Sequence, residues 1–363
     1  MRKLLLSASL CALCAAYAHG AFTKRIAFTT SGYDGDSALA NFPVLVKLPG
    51  TIQGFDYADF GGTTNLVFKD SAGSVITHEV DTWDTSGTSL VWVCVPSVTK
   101  TTVFHMYYCG SDNTANTPAA VWTAANYVGV WHMDETSGTV ADATGHELTA
   151  TPAGTYAASS ARYTGTDAPI GHARQTGGNA NTKGYLSIPS YDSFNVGNTF
   201  TMSGWVRATG LGSSPRLFSR KQGYKDTNGW EIEMSTFTSL KARGANKDSY
   251  VVSEIPTFQT KWVHMAFVFN GGVLTAYANG EPLSSTGSIT AATDNNLPLS
   301  IGCDSDGTEN HIQGAFDECR LLDAVASADW IAAEYATVTS DTFVTAGDIE
   351  DVGAKPGIAI FVR

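Results

Sequence analysis

Residues 261–280 read KWVHMAFVFNGGVLTAYANG, and this stretch decides the fold class. Trp262 to Phe269 is rich in β-branched and aromatic residues and ends at the turn Asn270-Gly271-Gly272. Val273 to Ala278 follows as a second short strand and ends at Asn279-Gly280, a dipeptide typical of tight hairpin turns. The stretch therefore predicts antiparallel strands joined by glycine turns.

The same alternation of short strands and turns continues on both sides, from about residue 125 to residue 345. Ser327 to Tyr335 is the one clear helix, because Ser327 is a good N-cap and Trp330, Ala333 and Glu334 lie one turn apart. Regular strands over a region this long indicate one large antiparallel sandwich. Its other main strands are predicted at 127–133, 199–207, 230–234, 297–303 and 314–321.

The composition agrees with an all-β protein of about two domains, because the chain has 363 residues. Only 15% of the residues are charged and 36 are glycine, which disfavours coiled coils and long solvated helices. Acidic residues outnumber basic ones by 34 to 22, and the net charge is −12. This excess of negative charge disfavours binding to nucleic acids.

The N-terminal residues 1–18 have the pattern of a secretory signal peptide. Arg2 and Lys3 precede an apolar run over residues 4–16, and Ala16-Tyr17-Ala18 is a small-x-small cleavage site. The run is shorter than the roughly 20 residues of a membrane span, which disfavours an anchor, and no later stretch is long enough to be one. We expect a secreted or cell-surface protein.

Four cysteines lie beyond the signal peptide: Cys94, Cys109, Cys303 and Cys319. Export favours disulfides, and four cysteines allow three pairings. Two lie early and two late, which favours Cys94–Cys109 and Cys303–Cys319, each loop stabilising the fold by about 3 kcal/mol. Four buried thiols are the alternative. Zinc is disfavoured because no CxxC and no His pair lies near them.

Residues 22–111 are predicted to form a small β-sandwich of unknown function, followed by a linker at 112–124. Four pieces in this order resemble the bacterial domain-of-unknown-function family 2341, and the resemblance implies an exported jelly-roll-like module without known chemistry. These pieces are 41–46, 54–60, 78–83 and 87–93.

One motif in this segment approaches a glycosidase signature. Glu79-x-Asp81-x-x-Asp84 places two acids on one strand face, as a retaining mechanism requires. The third acid is Asp where the laminarinase-like signature has Glu, and no cleft is otherwise indicated. We favour a structural role for these acids.

The region 125–345 resembles the laminin G-like, concanavalin A-like lectin-glucanase jelly roll. The resemblance rests on the opening Val130 to Glu135, the loop Asp142 to Gly145, the strand Phe200 to Arg207, the hairpin quoted above and the closing strand Gly314 to Arg320. It implies the fold more strongly than the activity, because this fold hosts lectin-like modules, adhesion modules and glycosidases.

The same resemblance implies a structural Ca²⁺ held by Asp317 in the closing strand and by Asp142. The alternative is that Asp317 only hydrogen-bonds a buried loop. Asp304-x-Asp306-Gly307-x-Glu309-Asn310 is also similar to a calcium loop, but it lacks the twelve-residue EF-hand pattern and is better interpreted as a polar turn.

Aromatic side chains in glycine-rich and polar stretches are candidates for glycan-binding platforms. Tyr224, Trp230 and Tyr250 fit this description, although Trp230 also fits the start of a core strand. Glu231-x-Glu233 places two further acids on one strand face, but the glycosidase signature does not continue. His132 and His264 lie in predicted strands and are interpreted as structural.

The sequence therefore predicts an exported, non-catalytic protein of two antiparallel sandwich domains, with one short helix near the end of the second. We expect surface recognition or adhesion toward a polysaccharide or a glycoprotein glycan. A polysaccharide-degrading enzyme of the same fold and a structural assembly protein are the alternatives. In the tail at 346–363, the apolar run Gly357 to Val362 predicts a strand that joins a sheet of this chain or of a neighbour.

Overall fold

A computed structural model describes residues 22–62, 64–110, 115–154, 161–164, 167–177, 183–189, 196–210 and 213–352. The predicted signal peptide and the run Gly357 to Val362 lie outside these residues. Of the described residues, 47% are in strands and 7% are in helices, which confirms the predicted all-β class. Within the described ranges, no helix has the length and apolar character needed to cross a membrane.

The chain folds as two units, and the second is inserted into the first. One unit contains the residues up to Val121 together with those from Ser340 onward, and the other spans Trp122–Thr339. This differs from the predicted boundary at residue 345, because strand β23 (Thr345–Asp351) pairs antiparallel with strand β1 (Lys24–Thr29). Part of the predicted linker is also ordered, since helix α1 (Ala120–Thr123) contains the buried Trp122.

The first unit is built from a five-stranded and a three-stranded antiparallel sheet. Phe28 on the larger sheet stacks on Phe104 at 5.7 Å between ring centroids. The ring of Phe68 lies 5.3 Å from that of His78 on the smaller sheet, so the two sheets pack face to face. The larger sheet has the order β23-β1-β7-β3-β4, with β3 Val67–Asp70, β4 Val75–Ile76 and β7 Val103–Tyr108. The smaller has the order β2-β6-β5, with β2 Leu39–Pro49, β5 His78–Thr82 and β6 Thr88–Val98.

The second unit is a larger sandwich of an eight-stranded and a seven-stranded sheet. The eight-stranded order is β10-β11-β22-β13-β18-β19-β20, and β8 also pairs with β22. The seven-stranded order is β17-β16-β15-β14-β21-β12-β9. The eight-stranded sheet contains β8 Tyr127–Trp131, β10 Ala161–Thr164, β11 His172–Thr176, β13 Thr199–Gly210, β18 Val263–Asn270, β19 Val273–Ala278, β20 Glu281–Ser288 and β22 Gln313–Leu322. The seven-stranded sheet contains β9 Thr151–Gly154, β12 Gly184–Ile188, β14 Arg216–Ser219, β15 Glu231–Thr236, β16 Ser239–Arg243, β17 Tyr250–Val252 and β21 Leu299–Ile301.

The core of the second unit lies between these two sheets, and its hairpins follow the sequence prediction. Phe218 of the seven-stranded sheet lies 5.8 Å from Phe316 of the eight-stranded sheet, measured between ring centroids. Asn279 and Gly280 have φ angles of 52° and 85°, as a tight hairpin between β19 and β20 requires. Helix α2 (Ala328–Thr339) begins after Ser327, as predicted.

The predicted disulfides Cys94–Cys109 and Cys303–Cys319 are wrong, and all four residues are buried thiols. In each predicted pair, the two cysteines lie on or next to strands of opposite sheets. Cys94 lies in β6 of the three-stranded sheet, whereas Cys109 follows β7 of the five-stranded sheet. Cys303 follows β21 and Cys319 lies in β22, again on opposite sheets. Burial raises the pKa of the Cys94 thiol to about 11, which keeps it protonated.

Candidate functional site

The seven-stranded sheet has one face in the core and one polar face. In β15, Ile232 and Met234 belong to the core, so Glu231 and Glu233 project from the opposite side of the strand. Neighbouring strands add further charged side chains on this side. We define the polar face by Arg216, Glu231, Glu233, Lys241 and Arg243.

Ion pairs connect all five side chains of the polar face. Nη1 of Arg243 lies 2.6 Å from Oε1 of Glu231 and 2.6 Å from Oε2 of Glu233. Arg216 contacts the same two carboxylates at 2.8 Å and 3.1 Å. Lys241 lies 3.4 Å from Glu233. Three cations therefore hold two carboxylates, and the cluster carries a positive charge.

These ion pairs determine what the two acids can do. Because both carboxylates bind one guanidinium nitrogen, they are as close as the roughly 5 Å spacing of a retaining glycosidase. However, Glu231 is 0% exposed and Glu233 is 4% exposed. A catalytic acid must reach the glycosidic oxygen and exchange a proton with it. The burial and the guanidinium contacts of this pair prevent both.

Buried Lys221 holds together the two loops that border the polar face. Its Nζ donates to the carbonyl oxygens of Asp226, Gly244 and Asn246 at 2.8, 2.9 and 2.8 Å. Desolvation by this burial lowers the pKa of Lys221. A buried ammonium is tolerated only when its donors are satisfied, so the contacts fix loop 222–229 against loop 244–249.

Tyr224 lies in the first of these loops and is exposed. Within the described ranges it is the one aromatic side chain that is largely exposed, at 45%. The Arg243 guanidinium carbon lies 5.6 Å from the Tyr224 ring centroid, and Lys225 Nζ lies 5.4 Å from it. These distances allow cation–π attraction, which orients the ring beside the polar face.

The other two predicted platform residues are placed differently. Trp230 is 2% exposed and packs against Phe200 and Phe269 at 5.0 and 5.6 Å between ring centroids, so it belongs to the core. Tyr250 is half-buried on the edge strand β17 and packs against the core and over Gly287. The prediction of Trp230 as a ligand contact is wrong, because its ring is buried in the core directly before β15.

The two predicted calcium ligands accept hydrogen bonds from the protein. Asp142 accepts amide hydrogens from Val130, Thr144 and Leu148 at 3.2, 3.0 and 3.2 Å. Asp317 is fully buried and accepts the amide hydrogen of Ile170 at 3.0 Å. N–H groups point their positive ends at these oxygens and compete with a cation. These hydrogen bonds account for the positions of the two carboxylates, and bound calcium stays a prediction.

The loop at residues 304–310 is a polar turn, as favoured from sequence. Asp304 accepts hydrogen bonds from the Glu309 amide at 3.2 Å and from Nδ2 of Asn310 at 2.9 Å. Asp306 accepts the Thr308 amide at 3.0 Å. Burial raises the pKa of Asp304 to about 6. These bonds close the turn with its own side chains.

The two strand histidines and the acids of the first unit have structural surroundings. His132 Nδ1 lies 2.7 Å from Glu318, and His264 Nε2 lies 3.7 Å from Glu334 of helix α2. In the first unit, Asp81 accepts from Nε1 of Trp92 at 3.3 Å. Asp84 caps a turn by accepting the Ser86 amide at 2.9 Å. Glu79 and Asp81 lie beside a register shift between Val80 and Thr82, which interrupts the predicted alternation.

Sequence reasoning missed the cations that surround Tyr224. The signal was present, because residues 216–247 contain seven of the 22 basic residues of the chain and only three acidic ones. The composition of the whole chain, with its net charge of −12, hid this local excess. Arg243, Lys225, Lys241 and Lys247 are the residues that a windowed charge count finds.

Comparison with solved structures finds distant likenesses. The chain is similar to domain 4 of AbnA, a GH43 extracellular arabinanase from Geobacillus stearothermophilus, in complex with arabinotriose: identity is 21%, coverage is 57% of this chain and 97% of that chain, and the TM-score is 0.43. It is similar to the binding domain of Paraclostridial Mosquitocidal Protein 1, with 16% identity, 58% and 52% coverage and a TM-score of 0.44. It is also similar to the binding domain of botulinum neurotoxin DC in complex with SialylT, with 12% identity, coverage of 59% of this chain and 52% of that chain, and a TM-score of 0.44.

The chain spans about half the length of both toxin binding domains, at 52% of each. No curated protein matches the chain. The resemblance of residues 22–111 to the family 2341 of unknown function stays a prediction. Residues 179–332 match the family model of the concanavalin A-like lectin/glucanases superfamily, Laminin_G_3, which confirms the predicted resemblance for this part of the second unit.

Proposed function

We propose that the second unit is a non-catalytic glycan-recognition module that binds its ligand around Tyr224, at the border of the polar face. The observation that carries this proposal is the exposure of Tyr224 beside a rigid charged surface. An aromatic ring offers an apolar surface to the C–H groups of a sugar and a polar hydroxyl at its edge. The ring is held beside the charged side chains of Arg243 and Lys225, and this placement supports a binding role.

The surroundings of Tyr224 favour recognition because they are rigid before any ligand arrives. Lys221 fixes the loop that contains Tyr224, and Arg243 holds its guanidinium against the ring and the two buried carboxylates. A ligand therefore loses little binding energy to the ordering of protein side chains. Export through residues 1–18 is part of this proposal and would give the module access to extracellular glycans.

Hydrolysis is the alternative that the polar face disfavours. Its only close acid pair among the described residues of this face, Glu231 and Glu233, is buried and held by Arg216 and Arg243. Activating one acid would require breaking ion pairs in a desolvated cluster, and loss of one partner in such a cluster costs about 3–5 kcal/mol.

The test is a polysaccharide panel screened with the full chain, with Tyr224→Ala and with Tyr107→Ala as a matched aromatic control in the first unit. We expect saturable binding by the wild type and the control, at least tenfold weaker binding by Tyr224→Ala, and no release of reducing ends. Sugar release, or equal binding by Tyr224→Ala, would overturn the proposal. Unfolding curves of each variant establish that the fold is retained.

A further inference from the structure

We infer that the ligand of this site is an anionic glycan, whose carboxylate or sulfate groups bind Lys225, Lys241 and Lys247 while a sugar ring lies on Tyr224. This inference rests on the proposed function and specifies its ligand class. It begins from charge, because residues 216–247 hold seven cations against three carboxylates, or against five when the adjacent Asp248 and Asp294, the partner of Arg220, are included, in a chain of net charge −12.

The buried cations of this stretch are satisfied by the protein. Arg216 and Arg243 bind Glu231 and Glu233. Lys221 donates to three backbone carbonyl oxygens, and no carboxylate lies within ion-pair distance of it among the described residues. Carbonyl oxygens solvate an ammonium without cancelling its charge.

The accessible cations have capacity for a ligand. Lys225 and Lys247 are exposed, and neither has an ion-pair partner in the part of the chain that the structure describes. The side chain of Lys241 is 37% exposed, and its one ion pair among the described residues is with Glu233 at 3.4 Å. Their backbones are close, because Lys225 adjoins Tyr224 and because Nε of Arg243, which faces Tyr224, donates to the carbonyl oxygen of Lys247 at 3.3 Å.

This arrangement discriminates between charged and neutral sugars. A neutral glycan gains the ring contact with Tyr224 but forms no ion pair with Lys225, Lys241 or Lys247. A uronate or sulfated sugar gains the same contact and adds ion pairs at its edge, and salt screens these ion pairs over about 10 Å at 0.1 M. Selectivity for the anion should therefore decrease as the salt concentration rises.

The experiment compares pairs of polymers that share a backbone and differ in charge. The full chain is titrated with polygalacturonate and its methyl ester, and with dextran sulfate and unmodified dextran, at low and high salt. Single-stranded DNA serves as an anion without the sugar chemistry of a glycan. We expect at least one anionic polymer to bind about tenfold more tightly than its neutral counterpart and more tightly than the DNA.

The variants distinguish this site from general attraction to cations. Lys225→Gln combined with Lys247→Gln should lower the affinity for the anionic polymer about tenfold and leave the neutral one unchanged. Lys261→Gln, an exposed lysine before β18 on the other sheet, is the control and should change neither.

Each contrary outcome has a distinct meaning. Equal Tyr224-dependent binding of neutral and anionic polymers would overturn the anionic assignment and leave the proposed function intact. Equal loss in the double variant and in the control, or tighter binding of DNA, would overturn the assignment as well. Absence of binding to every polymer would overturn both proposals.

Discussion

Tyr224 and Trp230 are six residues apart in a glycine-rich stretch, and the fold gives them opposite environments. Gly223 precedes Tyr224 and Gly229 precedes Trp230, so each ring directly follows a glycine. Trp230 directly precedes β15 and packs against Phe200 and Phe269, whereas Tyr224 remains on the loop that Lys221 fixes. The local sequence identified both aromatic residues as candidates for ligand contact, but whether each ring is buried depends on contacts with distant strands.

The first prediction at this scale separates the core tryptophan from the surface tyrosine. Trp230→Ala should lower the free energy of unfolding by about 3–5 kcal/mol, because it removes a buried ring and leaves a cavity. Tyr224→Ala should change it by less than about 0.5 kcal/mol, as expected for an exposed side chain. Urea unfolding of the two variants measures both values, and similar losses would contradict the assignment of the two residues.

A second prediction concerns His78, whose ring packs on Phe68 between the sheets of the first unit. Burial lowers the pKa of His78 from its ordinary value of 6.5 to about 4. The unfolded chain then binds this proton more readily than the folded chain, so stability is present above pH 6.5 and is lost as the pH falls toward 4. The loss should reach at most about 3 kcal/mol, because one pKa unit corresponds to about 1.4 kcal/mol.

His78→Phe keeps the ring and removes this titration. We expect the free energy of unfolding of the wild type to fall relative to that of His78→Phe between pH 6.5 and pH 4, in denaturant titrations at matched ionic strength. A difference between the two proteins that stays constant over this range would show that His78 titrates normally.

At the scale of elements, the sequence did not reveal which strands belong to the same sheet. The hairpin of β18 and β19 joins neighbours in sequence, and its residues predicted it correctly. The predicted pairing of the cysteines failed because it required knowing which sheet each strand joins. The pairing of β23 with β1 likewise joins opposite ends of the chain. Such pairings are decided by packing between distant strands, which periodicity in one segment does not reveal.

The thiols give a chemical prediction at this scale. In the native full chain, iodoacetamide should fail to label Cys94, Cys109, Cys303 and Cys319, because all four are buried. After unfolding without a reductant, all four should be labelled, as peptide masses would show. Labelling that appears only after reduction would show that disulfides connect them.

Strand β23 gives a second prediction at this scale. It covers the edge of β1 with backbone hydrogen bonds, and its Glu350 binds Arg25 at 2.6 Å. Truncation after Val344 should therefore speed hydrogen exchange of the β1 amides from Lys24 to Thr29 and leave the β18–β19 hairpin protected. Truncation after Val352 is the matched control and should leave β1 protected. Unchanged exchange in β1 after the longer truncation would contradict the pairing.

At the scale of the whole molecule, the chain combines an acidic overall charge with a local concentration of cations. The net charge of −12 disfavours nucleic acids and keeps general attraction to polyanions weak. The excess of cations at residues 216–247 acts over short distances next to Tyr224. Composition predicted the fold class, but the proposed site depends on folding, which brings loops 222–229 and 244–249 together.

The most direct test of the account is a hydrogen-exchange footprint of the full chain with its tightest-binding glycan. The account predicts slower exchange in loops 222–229 and 244–249, no change in the strands of the first unit, and an intact glycan after the measurement. Protection confined to another surface, or cleavage of the glycan, would contradict the claim that Tyr224 and the polar face form a non-catalytic recognition site.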